Sequence, residues 1–268
     1  MPELAEVEFA RKAWNPGLGS VVERVESKAT SRVYRDLQPS SVMRGLKGAT
    51  LESSATHGKK ILFRFSDDRW LGLHLGMTGS LLVDSDDYAK AKHDALVLRQ
   101  ADQSLVFRDP RQFGRVLFHR GKENPDWWSD LPPEVTSDAF TFELVTAILK
   151  RRARAPIKAV LLMQDFFPGI GNWMVDEILW RARIHPACPA GKLSPVKQKA
   201  IWRETRFVAE GALSTVGSRG GDPPKDWLFH VRWKDGGKCP FSGKPLRRAE
   251  IAGRTTCWCP SLQRSPRR

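Results

Sequence analysis

A proline followed directly by a carboxylate occupies positions 2 and 3 of the chain, in Met1-Pro2-Glu3-Leu4-Ala5-Glu6-Val7-Glu8. Proline is small enough for removal of Met1 to be expected, and removal exposes a secondary amine beside Glu3. An α-amino group has a pKa near ~8, against ~10.4 for a lysine side chain, so more of it is free base at neutral pH. A free amine can attack a sugar or carbonyl carbon and form an iminium ion. The same residues would also suit an ordinary N-terminus, so the reading depends on what the rest of the chain supplies.

Several other stretches carry chemical potential. Thr56-His57-Gly58-Lys59-Lys60 precedes an apolar run, and one of its lysines could hold a phosphate. His74-Leu75-Gly76-Met77-Thr78-Gly79-Ser80 is a glycine-rich loop with a methionine at its middle. Asp109-Pro110-Arg111-Gln112-Phe113-Gly114-Arg115 is a turn with Arg and Phe two apart. Met and Phe can wedge into a base stack, and Arg can fill the place of a missing base. Taken singly, Met77 and Phe113 fit core packing just as well. Phe166-Phe167-Pro168-Gly169-Ile170-Gly171-Asn172-Trp173 reads as a turn into a helix whose free N–H groups and dipole suit a phosphate.

These motifs need elements to carry them. Residues 3–14 read as a helix, with Leu4, Val7, Ala10 and Trp14 at helical spacing. From about 18 to 120 the pattern becomes short β-type runs. Val21–Val25, Ile61–Phe65, Trp70–His74, Ala95–Leu98, Leu105–Phe107 and Val116–Phe118 are strand-like, between polar turns such as Ser66-Asp67-Asp68. That density suggests an antiparallel sandwich or barrel. Gly121, Pro125, Pro132 and Pro133 mark a linker. After Thr136-Ser137-Asp138, which can cap, helices are predicted over 139–152, 156–165, about 171–183 and about 194–214. Gly217–Pro224 then reads as a mobile loop.

Composition bounds the partner. The chain has 268 residues, enough for two domains with real cores, and a net charge of +14. Its isoelectric point near 10.0 points to a polyanion, most often nucleic acid. From residue 226 onward ten Lys/Arg face three acidic residues, so half of the excess sits in the last sixth of the chain. There the cations alternate with Trp233, Phe241 and Trp258, as on a nucleic-acid surface. There is no run of 18 apolar residues for a membrane span and no secretory signal pattern. Four cysteines, three of them near the C-terminus, suit neither a disulfide framework nor an extracellular setting, and a cytoplasmic or nucleoid location is expected.

In combination, Met-Pro-Glu-Leu-x-Glu-Val-Glu at the N-terminus, Gly-Lys before an apolar strand, His-Leu-Gly-Met-x-Gly-Ser, Asp-Pro-Arg-x-Phe-Gly and Gly-Ile-Gly-Asn-x-x-x-Asp-Glu occur in this order. The chain thereby closely resembles the formamidopyrimidine-DNA glycosylase/endonuclease VIII family of base-excision repair enzymes, over residues 1 to about 263. The resemblance implies an α+β multi-domain protein. Residues 1–125 would be an N-terminal helix plus an antiparallel β-sandwich carrying catalysis, with 126–138 as linker. Residues 139–225 would form a helix–two-turn–helix DNA-binding domain, 226–263 a C-terminal zincless-finger β-hairpin, and 264–268 a basic tail.

The implied activity is that of a bifunctional glycosylase and abasic-site lyase acting on oxidised purines such as 8-oxoguanine and formamidopyrimidines. Pro2 would attack C1′ of the damaged nucleotide, form a Schiff base, and lead through β- and δ-elimination. Glu3 matches the general acid/base and Lys59 a phosphate-contacting lysine that assists at the lesion. Glu6 matches a residue lining the base pocket. Met77, Arg111 and Phe113 match the void-filling trio of the formamidopyrimidine branch. Lys158, Asn172 and Arg254 match contacts to DNA phosphates. The implied partner is double-stranded DNA with an oxidised base or abasic site, bound by a monomer with no membrane involved. Pro2, Glu3 and Lys59 together argue against a protein of this fold that binds damage without excising it. A role for His93-Asp94, which also matches the family, does not follow from the residues.

Three departures stand out. Ala5 replaces a usual proline, and Gln112 a common arginine. Family members mostly end in a finger with two Cys-x2-Cys pairs on zinc. Here Cys239 and Cys259 fit the first and third positions, while Ser242 and Leu262 occupy the second and fourth. Serine is a poor zinc ligand and leucine is none. No cofactor is therefore expected, and Ala252–Gln263 resembles a finger that keeps its shape without metal, with Trp233, Phe241 and Trp258 as its packing.

Overall fold

The computed structural model describes residues 1–35 and 37–265. Of the expected basic tail, 266–268 lie outside them. The chain divides into two compact units. One comprises Met1–Pro2 and Glu6–Leu131, the other Glu3–Ala5 and Pro132–Arg268.

The first unit is built on two four-stranded antiparallel sheets. The elements in chain order are α1 (Leu4–Lys12), β1 (Arg24–Ser27), α2 (Pro39–Leu46), β2 (Leu51–His57), β3 (Lys60–Phe65), β4 (Arg69–His74), β5 (Ser80–Ser85), β6 (Asp94–Arg99), β7 (Gln103–Arg108), β8 (Arg115–Arg120) and a short α3 (Asp126–Ser129). The strand orders are β1-β6-β7-β5 and β2-β3-β4-β8. Alternation along β3 and β4 sends Ile61, Phe63, Phe65, Leu71 and Leu73 inward, where they meet Leu96, Leu98, Leu105 and Phe107. Trp14 is buried against Phe63, with ring centroids 4.7 Å apart, and its indole N–H donates to the Leu82 carbonyl at 3.1 Å.

The expected strands recur here within a residue or two, with one exception. Val21 makes only an isolated bridge to Thr50, and the strand starts at Arg24. The helix expected over 3–14 ends at Lys12, and a 3₁₀ turn (Asn15–Gly17) follows. The expectations missed α2, β2 and β5. β2 is mostly polar and has one buried residue, Leu51, so its sequence carries little alternation. The expected linker holds α3, whose Trp127 ring lies over Gly72: a Cβ on Gly72 would meet it at 2.5 Å.

The second unit is helical, with a terminal hairpin. Its helices are α4 (Phe142–Arg151), α5 (Ile157–Leu161), α6 (Asn172–Arg181) and α7 (Pro195–Arg219), followed by β9 (Arg247–Ile251) and β10 (Arg254–Trp258). The cap of α4 is Thr141, whose hydroxyl accepts from Leu144 N–H at 3.2 Å, so Thr136-Ser137-Asp138 does not cap it. α7 runs to Arg219, past the predicted end near 214 and into the expected loop. Ala209, Ala212 and Val216 stay buried at helical spacing, and Gly220 at φ 71° stops it. α6 is buried along almost its whole length, which accounts for its Trp173, Met174, Val175, Ile178 and Leu179.

Candidate functional site

In the first unit, two loops carry the expected wedge residues. Asp109 is buried and organises both. Its Oδ2 accepts from Gly114 N–H at 2.7 Å, and its Oδ1 accepts from Thr78 Oγ1 at 3.0 Å and Arg111 N–H at 3.3 Å. Gly76 has φ +64°, and a Cβ there would strike the Phe113 carbonyl carbon at 2.5 Å. The loops are therefore pressed together, and only glycine fits. Met77 and Phe113 are 44% and 45% exposed, which sets aside core packing for both. Arg111 stacks its guanidinium over the Phe113 ring at 4.8 Å. Gln112 takes the left-handed conformation and accepts from Arg32 N–H through its side-chain oxygen at 2.8 Å. Lys59 lies just after the Gly58 turn and is buried, while Pro2 and Glu6 are half-buried and Met1 is exposed.

His93-Asp94 acquires a structural role. The buried Asp94 carboxylate accepts from Arg108 Nε at 2.7 Å, Tyr88 OH at 2.5 Å and Ala91 N–H at 2.6 Å. Burial pushes its carboxyl up, and these donors outweigh burial and hold it below the usual range.

In the second unit, Glu3 is 3% exposed and seated on the start of α6. Its carboxylate accepts from Gly171 N–H at 3.0 Å, Trp173 N–H at 3.0 Å and Met174 N–H at 3.2 Å. Leu4 N–H donates to the Gly169 carbonyl at 3.0 Å. Three of the helix's free donors are thus taken by one anion, where the dipole also favours negative charge. The glycine is needed: a Cβ on Gly171 would lie 2.2 Å from Glu3 Cδ.

One turn further along α6, Asp176 is a fully buried hub. It accepts from Lys158 Nζ at 2.6 Å, from Arg232 Nη2 at 2.6 Å and Nε at 3.2 Å, and from Cys257 N–H at 2.9 Å. Lys158 has no exposed surface, which departs from its expected place on a DNA phosphate. The reason is that its ammonium lies inside, against Asp176. Burial lowers its pKa, against the pull of that carboxylate. Next along α6, Glu177 pairs with Arg181 at 2.8 Å and takes Phe229 N–H at 3.3 Å. Burial pushes its carboxyl up to about 7, against the pull of Arg181.

Asn172 Nδ2 donates to the Thr255 carbonyl at 3.0 Å, tying α6 to β10. The hairpin turns at Ala252-Gly253, both at positive φ, and Arg254 stands exposed at its tip. The core under the finger is Trp180, Leu228, Cys239, Leu246, Cys257 and Cys259. Cys257 and Cys259 share this cluster, as side chains two positions apart along an extended chain do. Burial and Asp176 push the Cys257 thiol up to about 12. Trp258 joins the buried residues, and Phe241 stacks on Trp180 at 4.0 Å. Trp233, expected as packing, is instead 53% exposed beside Arg232. Ser242 Oγ lies 3.4 Å from Cys259 Sγ, and Leu262 packs on the apolar cluster. The four finger positions thus offer two thiols, a hydroxyl and a hydrocarbon, which do not fit zinc. Among the described residues, no three His, Cys, Asp or Glu side chains form a metal-holding group.

The motif carrying Asp176 and Glu177 was visible in the sequence, but their role was not. Arg232, 56 residues after Asp176, gave no signal beyond its charge. Asp176→Ala leaves two buried cations without their carboxylate, and is expected to cost about 3–5 kcal/mol in urea denaturation. For Glu177, the folded pKa lies above the unfolded one. Its contribution favours the fold below about 4.5, and that stability is lost as pH rises through about 7. Glu177→Gln is expected to flatten the pH dependence of stability across that window, read as denaturation midpoints.

Comparison with known proteins agrees with this geometry. The family model described as the formamidopyrimidine-DNA glycosylase N-terminal domain matches residues 1–116, and the formamidopyrimidine-DNA glycosylase H2TH domain matches 131–220. The formamidopyrimidine-DNA glycosylase of Roseiflexus sp. (strain RS-1) is 36% identical over 275 residues, covering 98% of this chain and 100% of that protein. That of Thermus thermophilus is 35% identical over 277 residues, covering 98% of each. The solved Lactococcus lactis enzyme, non-covalently bound to DNA containing an abasic site, superposes with a TM-score of 0.87 at 27% identity, covering 98% of this chain and all of that one. With both family models and near-complete coverage by these relatives, the chain belongs to the formamidopyrimidine-DNA glycosylase family.

Proposed function

We propose that this protein is a base-excision repair glycosylase with abasic-site lyase activity, acting on oxidised purines in duplex DNA. The observation that carries the reading is Glu3. The residue adjoining the Pro2 amine is locked onto the Gly-Ile-Gly-Asn turn by three N–H groups. An N-terminus held this way gives the amine a fixed neighbour and a fixed approach, which an ordinary chain end lacks. Relatives named for the same activity support it, as do solved relatives bound to abasic-site DNA and to DNA containing N7-benzyl-Fapy-dG.

In this reading, a target nucleotide must leave the stack, because C1′ is inaccessible within it. Met77, Arg111 and Phe113 fill the vacated space. The Pro2 nitrogen attacks C1′ and gives up its proton, and the base departs with the bonding electron pair and a proton. Ring opening gives an iminium ion. Its electron-withdrawing nitrogen makes the C2′ proton acidic, and losing it expels the 3′ phosphate. A second elimination releases the 5′ phosphate. Glu3 moves protons in these steps. Lys59, Asn172 and Arg254 hold phosphates, and Glu6 lines the base pocket. Lys158 acts by fixing Asp176, and so the finger. We assign catalysis to 1–125, DNA binding to 139–225, and a finger without zinc to 226–263. The setting is intracellular.

Borohydride trapping tests the chemistry. Protein freed of Met1 is expected to form a covalent complex with duplexes holding 8-oxoguanine or an abasic site. Protein retaining Met1 should form none, because its attacking nitrogen is an amide. No complex from the Met1-free protein on either duplex would falsify the proposal. For the finger, elemental analysis is expected to find no stoichiometric zinc, and prolonged chelation should leave trapping unchanged. One zinc per chain would overturn that part.

A further inference from the structure

Three adjacent strands place two cations and a histidine in one row. Lys60 pairs with His74, and His74 with Arg115, so their side chains share one face of the β2-β3-β4-β8 sheet. The next row on that face is Leu62–Gly72–Leu117, and Gly72 leaves the gap in which the Trp127 ring lies. Trp127 also accepts from Lys60 Nζ through its carbonyl at 3.1 Å. Lys60, His74, Arg115, Leu117 and Trp127, with Arg35 and Phe113, line a cleft of about 400 Å³. No carboxylate is among the described residues lining it. Arg35 and Arg115 are both exposed. His74 Nδ1 accepts from Gly76 N–H at 3.0 Å, which leaves the neutral ring's proton on Nε2 as a donor. Burial and the cations Lys59, Lys60 and Arg35 all lower its pKa and keep the ring neutral near pH 7.

Two cations flanking a neutral imidazole donor, with an aromatic floor and no acidic lining, are arranged for an anion carrying a flat or apolar part. Phe113 on the rim belongs to the wedge loop, so the cleft adjoins the place where a duplex would be opened. We propose that this cleft is a separate DNA subsite in which Arg35 and Arg115 hold a backbone phosphate beside the wedge while Trp127 packs against the adjoining sugar or base. The subsite rests on the reading of the chain as an enzyme of duplex DNA.

The test uses a duplex with one abasic site and compares wild type with the Arg35→Ala/Arg115→Ala variant. Both positions are exposed, so the variant should match wild type by circular dichroism and in trapping yield at saturating protein. Each phosphate contact adds about 0.9 to the slope of log affinity against log salt. The double variant is therefore expected to lose about 0.9 of that slope, along with affinity at low salt. Methylphosphonates, placed one at a time in both strands, locate the contact. At one position wild type should lose affinity and the variant lose no more. Wild type that binds and traps, with an unchanged slope in the variant, overturns the subsite alone. Wild type that neither binds nor traps overturns the functional reading beneath it.

Discussion

The second unit depends on a carboxylate seated on the open end of a helix. α6 begins with backbone N–H groups that have no partner within the helix, and Glu3 supplies an anion to three of them. The arrangement requires a residue without a side chain at 171, and the sequence has one. It also fixes a buried charged residue near the very start of the chain, where most proteins fray. The helical core then grows around α6, with Leu4 and Ala5 packed among its residues.

Much of this was legible in the sequence, and what escaped has physical reasons. Strands with a buried face announced themselves through alternation, as in Ile61–Phe65 and Trp70–His74. β2 did not, because only Leu51 of its seven residues is buried and little of the strand needs to be apolar. The helix end near 214 was misplaced because Ser214, Gly217 and Ser218 resemble a stop. Ala212 and Val216 are buried, and tertiary packing overrides propensity. Among site residues, motif spacing located Glu3, Met77 and Phe113, but it could not show which side chains point inward. Lys158 is the clear case: the family resemblance put it on a DNA phosphate, and nothing in Pro156-Ile157-Lys158 shows that its ammonium is buried against Asp176.

The finger illustrates how one shape can rest on different forces. Asp176 gathers Lys158, Arg232 and the backbone of Cys257, and an apolar cluster containing three cysteines and Trp180 fills the remainder. A buried ion pair is poor evidence of stability, because desolvation offsets the attraction. Its value here is directional. A carboxylate with several donors fixes where each donor lies, and a hydrocarbon of similar volume would not.

α6 therefore works as a ruler with two marks. Glu3 is read at its first N–H groups and β10 at Asp176, a little over one turn later. A slip of one residue in the helix register would swing every side chain by about 100°. It would put Asp176 out of reach of its donors while it displaced the donors of Glu3. The two placements share one origin and one error, so they are set together or lost together.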